Sequence, residues 1–262
     1  IERALPIITI LTLSATGSEM DAGGVITNLE TQDKLGRMAA PMLPKVSFLD
    51  PTLTYTVSPY QTACGAADMM SHILEVYFNL NEDLFMLDSM MEAMLKTIVK
   101  FAPVAIAEPE NYEARANLMW CSSWAINGFI NGGRRKAWSC HPMEHELSAI
   151  YAIAHGHGLA ILTPRRLEYC LEESNAHRYV SLGVNVFGID PKGEPMAIAK
   201  ECIERMREFM SVTLNLPYTF TEVGIKREDF ATMARKACRY GAIRGFKTLE
   251  PQDVERIYEM CI

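Results

Sequence analysis

The 262-residue sequence predicts a mostly α fold, an all-helical segment at residues 58–262 preceded by a β-rich segment at residues 1–57. Three observations predict it. Up to about residue 55, β-branched and aromatic residues fall in short runs separated by Gly, Asp and Pro turns. From Ser58 onward, apolar residues recur every three or four positions over long stretches. Between the two stands a helix-start signal, with Ser58 as cap, Pro59 in the first turn and Gln61 where a capping-box partner reaches back.

Taken in order, strands are expected at Pro6 to Leu13, Gly24 to Asn28 and Lys45 to Leu49, and these need neighbours to complete a sheet. The boundary helix should run to about Phe78. Further helices are expected at about Asp83 to Phe101, Tyr112 to Ile130, His141 to Ala152, Ala176 to Phe187, Met196 to Thr213, Arg227 to Tyr240 and Pro251 to Ile262. Gly132 and Gly133, followed by Arg134, Arg135 and Lys136, read as a turn and a solvated basic loop. There is no internal repeat.

Composition narrows the function. The chain is 49% hydrophobic and 22% charged, the balance of a globular protein rather than a disordered one. A net charge of -7 without clustered Lys and Arg argues against nucleic-acid binding and for a small-molecule partner. Seven cysteines without paired spacing read as reduced thiols, which points to a cytoplasmic protein. No apolar run reaches the roughly 20 residues that span a bilayer, and the first residues do not resemble a signal peptide. Ile1 in place of Met, with a strand-like run soon after, suggests a chain that begins within a domain.

Asp68 and His72 lie four residues apart, on one face of a helix that is otherwise apolar around them. Burying both groups is costly unless something compensates them. A divalent cation would do so, and so would a hydrogen-bonded structural pair. The second signal is denser. Residues 141–157 read HPMEHELSAIYAIAHGH, placing four of the six histidines within seventeen residues. His141 and His145 share a helix face, while His155 is expected just past the helix end, with Gly156 and Gly158 freeing the backbone for a sharp return. Two of these imidazoles, added to Asp68 and His72, would complete a centre with an open coordination position. The other two would be left for supporting or acid/base work, and His157 reads as an exposed loop residue. The segment TLSATGSEM, Thr12 to Met20, is a small-residue turn able to offer N–H and hydroxyl groups to a phosphate or ribose, or simply a loop.

In order, TLSATGSEM, DKLG (33–36), FLDP (48–51), CGAADMMSHILE (64–75), HPMEHEL and AHGHGLA resemble the iron-containing, group III alcohol dehydrogenases, and within them the butanol dehydrogenase branch. The resemblance implies an α/β dinucleotide-binding domain, of which residues 1–57 are a remnant, followed by the helical metal domain at 58–262. It implies Fe2+ at Asp68, His72, His141 and His155, with Zn2+ as a common substitute. It places His145 beside nicotinamide and substrate as catalytic proton relay, and Thr12, Thr16, Gly23, Val25 and Lys34 along an NAD(H) or NADP(H) site. Phe129, Trp120 and Trp138 are candidates for an alcohol pocket or for ordinary core. The implied reaction is hydride transfer between the cofactor and a primary alcohol or aldehyde, with a homodimer expected for the full-length form. Because the Gly-rich pyrophosphate turn of that family is absent, activity is expected to be impaired. A helical metallohydrolase and a catalytically silent metal-binding fragment are the rival readings.

Overall fold

A computed structural model describes residues 1–79, 84–133 and 138–262. The basic loop at Arg134, Arg135 and Lys136 and the expected helix start at Asp83 lie outside the described residues. Four short strands precede nine α-helices among the described residues. Strands β1 (Ile8–Ile10) and β4 (Val46–Phe48) pair in parallel, with Ile8 opposite Val46 and Ile10 opposite Phe48. Strands β2 (Gly23–Asn28) and β3 (Asp33–Met38) form an antiparallel hairpin with Thr27 opposite Lys34. The sequence reading did not foresee β3, whose DKLGRM carries two basic residues and a glycine and so lacks the apolar alternation of a half-buried strand. Its residues are exposed or half-buried, so no such alternation is required of it.

Helix α1 (Pro59–Tyr77) begins as expected, with the Gln61 backbone N–H donating to Ser58 Oγ at 3.2 Å. It is buried almost all round, from Thr62 to Glu75, which makes it the central post of the molecule. Helix α2 (Phe85–Ala107) runs six residues beyond its expected end at Phe101 and passes through Pro103. The fully buried Ala102 and the nearly buried Ala105 show why, since packing on this turn outweighs the hydrogen bond that proline removes. Helix α3 (Tyr112–Ile126) is capped by Asn111, which accepts from Ala114 N at 3.0 Å. Then come α4 (His141–Tyr151), α5 (His155–Cys170), α6 (Ala176–Phe187), α7 (Pro195–Glu208), α8 (Phe230–Ala237) and α9 (Pro251–Glu259). A π-helical turn at Phe209–Thr213 completes the span expected of α7, and a 3-10 turn at Arg227–Asp229 opens the span expected of α8.

Helix α5 was not foreseen. Two glycines and Pro164 argue locally against it, yet Leu159 to Leu167 are all buried, and tertiary packing overrides weak propensity. Gly156 lies inside this helix rather than at a sharp return, and a Cβ there would stand 1.9 Å from the Cys64 carbonyl oxygen of α1. Its role is therefore close helix approach. The reversal of the chain is made instead by Ala152, in the left-handed region at φ 53.

Two apolar cores result. One gathers α1, α2, α3, α6 and α7 around Met70, Ile73, Leu95 and Leu182. The other gathers α4, α8 and α9 around Met143, Phe230 and Tyr258. Helix α5 serves both, through Ala160 and Leu167 on one side and Leu159 and Ile161 on the other. Gly156→Ala is accordingly expected to cost at least about 1–3 kcal/mol by overpacking the α1–α5 crossing. In the exposed hairpin, Gly36→Ala should change stability by no more than about 0.5 kcal/mol. Urea unfolding of both variants in metal-free solution checks this, and equal midpoints would contradict the crossing argument.

Candidate metal centre

Helix α1 presents Asp68, His72 and Glu75 on one face, at spacings of four and three residues, and all three are buried. Helix α4 contributes His141 as its first residue and His145 one turn later. The left-handed residue Ala152 then turns the chain so that His155, the first residue of α5, comes back to His141, with ring centroids 5.0 Å apart. Asp68, His72 and His141 form one compact group of potential ligands, and His155, which also groups with Glu144 and His145, approaches it through Asp68.

The Nε2 atoms of His72, His141 and His155 lie 3.4, 3.9 and 3.7 Å from Asp68 Oδ1. Donors bound tetrahedrally to one ion at about 2.0–2.2 Å would stand roughly 3.3–3.6 Å from one another. Among the described residues, Asp68 Oδ1, His72 Nδ1 and His141 Nε2 are buried without a hydrogen-bond partner. Each such atom costs about 1–3 kcal/mol; Asp68 Oδ1 and His141 Nε2, 3.9 Å apart, could both give lone pairs to one cation, while the orphaned atom of His72 is Nδ1 and not the Nε2 that faces Asp68. The residues present therefore fit a divalent cation, and mixed imidazole and carboxylate donors suit a first-row metal.

Two glutamates absent from the sequence reading complete the arrangement. Glu75 Oε1 lies 2.5 Å from His141 Nδ1, and Glu144 Oε2 is bonded to His155 Nδ1. With Nδ1–H donating to carboxylate, each ring keeps the lone pair of Nε2 for the centre. A sequence signal for both exists. Glu75 continues the polar stripe of Asp68 and His72, and Glu144 stands three residues after His141. Gly158 belongs to the same device, since a Cβ there would meet the Glu144 side chain at 2.8 Å.

Other expected residues fall at varied places. His145 is half-buried, its ring 5.5 Å from that of His155 and 6.2 Å from that of His141. Lys34 reaches from β3 to within 3.6 Å of Glu144 Oε2 and 3.5 Å of His155 Nδ1. Thr12 and Thr16 are exposed on the TLSATGSEM turn. That turn is docked on the helices through Gly17, at φ 63 against Ser122 of α3, and through buried Glu19, which accepts from Ser123 Oγ at 2.5 Å. Gly23 and Val25 lie on β2, half-buried and exposed. His157 is not an exposed loop residue as expected. It is buried in α5, with Nδ1 3.1 Å from Tyr60 Oη and Nε2 2.7 Å from the Pro217 carbonyl. Of the three candidate pocket aromatics, Trp138 packs against His141 and His72, at centroid distances of 4.5 and 5.6 Å. Trp120 and Phe129 each pack against Trp124 instead.

The electrostatics follow from burial and these contacts. Burial pushes His72 down to about 4 and His145 down to about 3. Burial alone would also lower His141, but Glu75 beside it reverses the shift and raises it. Burial would raise Glu75 itself, yet His141 and Arg166 bring it down to about 2. The same opposition, with His155 and Lys34 as partners, lowers Glu144. In the folded metal-free chain, His72 and His145 therefore stay neutral while the unfolded chain protonates near 6.5. Between about pH 6.5 and 4 the unfolded state holds more protons on these two rings, so they draw stability away as pH falls, whereas His141 acts in the opposite sense. Ring-by-ring NMR titration separates them. The His72 and His145 resonances should stay fixed from pH 7 to 5, and titration of either near 6.5 would contradict the burial argument.

A profile described as the C-terminal part of the Fe-containing alcohol dehydrogenase family matches residues 62–262, and one described as iron-containing alcohol dehydrogenase matches residues 1–51. The chain is 49% identical over 261 residues to NADH-dependent butanol dehydrogenase A of Clostridium acetobutylicum, covering 99% of this chain and 67% of that protein. It is 46% identical over 264 residues to butanol dehydrogenase B of the same organism, covering 100% and 68%. In three dimensions it superposes on the crystal structure of NADH-dependent butanol dehydrogenase A from Thermotoga maritima with a TM-score of 0.93 at 35% identity, over 100% of this chain and 67% of that one. The chain thus spans about two thirds of the length of these relatives.

Proposed function

The chain belongs to the iron-containing alcohol dehydrogenase family, and from that membership we propose that it moves a hydride between NAD(P)(H) and a primary alcohol or aldehyde at a centre held by Asp68, His72, His141 and His155. The observation that carries the reading is the convergence of three imidazole Nε2 atoms on the buried, unpartnered Asp68 Oδ1. Fe2+ in this place, or Zn2+ substituting for it, supplies Lewis acidity toward an alkoxide or carbonyl oxygen, and the nicotinamide supplies or accepts the hydride.

The chain's own residues do the rest. Glu75 and Glu144 hold two of the rings by Nδ1, so that neither can turn away from the centre. Trp138 covers His72 and His141 on one flank and excludes water there. His145, its ring 5.5 Å from that of His155, would relay the alcohol proton outward, directly or through the cofactor. Residues 1–57 form the cofactor side and residues 58–262 the metal side. Thr12 and Thr16 offer exposed hydroxyls to the dinucleotide, Gly23 and Val25 offer backbone groups, and Lys34 offers an ammonium beside the metal ligands.

Two outcomes are expected. Elemental analysis after reconstitution should find about one divalent ion per chain, lost in His72→Ala and His155→Ala and retained in His145→Ala, because only the first two remove a donor. If His145→Ala strips the ion as completely as His155→Ala, the ligand set is wrong. In the second, oxidation of NADH and of NADPH by the reconstituted chain is followed with butyraldehyde. Saturable, aldehyde-dependent turnover that disappears in His72→Ala supports hydride transfer. A rate no higher than that of His72→Ala with either cofactor would sink it for this chain.

A further inference from the structure

Glu75 makes more contacts than orienting one ring requires. Its Oε1 lies 2.5 Å from His141 Nδ1, accepts from His141 N at 3.2 Å and accepts from Ser71 Oγ at 3.4 Å. Its Oε2 accepts from Ser139 N at 2.5 Å. Helix α4 has no cap of its own, because Cys140 at its N-cap makes no side-chain capping bond. The first N–H groups of a helix need acceptors from elsewhere, and here a carboxylate from α1 supplies one. Arg166, from α5, is fully buried and donates from Nη1 to Ser139 Oγ at 2.7 Å, on the far side of the same segment. One small polar knot therefore ties together α1, α4 and α5, the three helices that carry the four donors.

We propose that Glu75 is a positioning residue of the metal centre, fixing the ring of His141 through Nδ1 and the start of α4 through backbone N–H groups with one carboxylate. The inference rests on the metal reading of the site and goes beyond it. A capping role alone would stabilise α4 without affecting how His141 meets an ion. A positioning role couples the two, because the acceptor that ends the helix also selects which nitrogen of His141 carries the proton and which carries the lone pair.

The test is Co2+ titration of the metal-free 262-residue chain and of Glu75→Gln, followed through the visible ligand-field bands, with thermal melting of both metal-free forms. Gln keeps the size of the side chain and an oxygen able to accept from the backbone, and removes the carboxylate facing Nδ1. A drop of about 10–100-fold in Co2+ affinity with altered bands, and only a small change in metal-free melting, is expected. Lowered melting with unchanged affinity and bands would overturn the proposal and leave Glu75 a cap. Absence of Co2+ binding by the wild-type chain would overturn the metal reading together with it, so the two failures are distinguishable. Should Glu75→Gln not fold, 15N NMR of the histidine-labelled, Zn2+-loaded wild type decides. A His141 Nδ1 proton shifted downfield and protected from solvent exchange, as a bond to the Glu75 carboxylate requires, supports the assignment, and an unprotonated or freely exchanging Nδ1 refutes it.

Discussion

A buried carboxylate faced by imidazole nitrogens, rather than by a committed cation, is the constraint on which this structure turns. Several other buried acids are met by cations or hydroxyl and amide donors. Asp88 takes both terminal nitrogens of Arg178, at 2.6 and 2.9 Å. Glu92 accepts from Tyr77 and Asn185, and Glu146 meets Arg239 and Lys236. The ion pairs of Asp68 are with three histidines alone, and one of its oxygens accepts nothing. Removing such a group from water without a partner costs several kcal/mol, and a cation held among these ring nitrogens would offset that cost.

That requirement shapes the packing. For three helices to bring donors within 4 Å of one oxygen, their backbones must pass unusually near one another, and the small residues mark where they do. Gly156 sets α5 against the Cys64 carbonyl of α1, and Gly65 lies against the Ser14 carbonyl of the TLSATGSEM turn. Gly158 leaves the space that Glu144 fills. Apolar contacts on either side, in two cores that share α5, supply the non-directional part of the stability. The polar seam between them supplies direction.

Much of this was legible in the residues. The helix start at Ser58, the span of α6 and the placement of Asp68, His72 and His141 on helices follow from capping chemistry and periodicity. What was not legible depended on contacts between distant segments. Helix α5 looked broken because Gly156, Gly158 and Pro164 lower propensity, and only its burial explains why it forms. Strand β3 was hidden by its polar, exposed character. His157 looked like a loop residue because its partners, Tyr60 and the Pro217 carbonyl, lie 97 and 60 residues away. Glu75 and Glu144 were visible as letters but not as ligand holders, since nothing local says which nitrogen of which ring a carboxylate will find.

The β2–β3 hairpin meets the centre through charge rather than through apolar burial. Val25, Ile26, Leu29 and Met38 of the β2–β3 hairpin are all exposed. Asp33 instead binds Arg239 and Lys236, and the same two cations hold Glu146, the residue after His145 on α4. Lys34, next in sequence to Asp33, reaches Glu144 and His155. Apolar contact would let a hairpin slide by a residue at little cost, whereas charge-assisted hydrogen bonds lose most of their energy within an ångström or so of misplacement. A hairpin fixed in this way keeps its register relative to the ligand helices. Register is what any hydride transfer at this centre would demand of it, because the reacting carbons must be held within about 3.5 Å of each other.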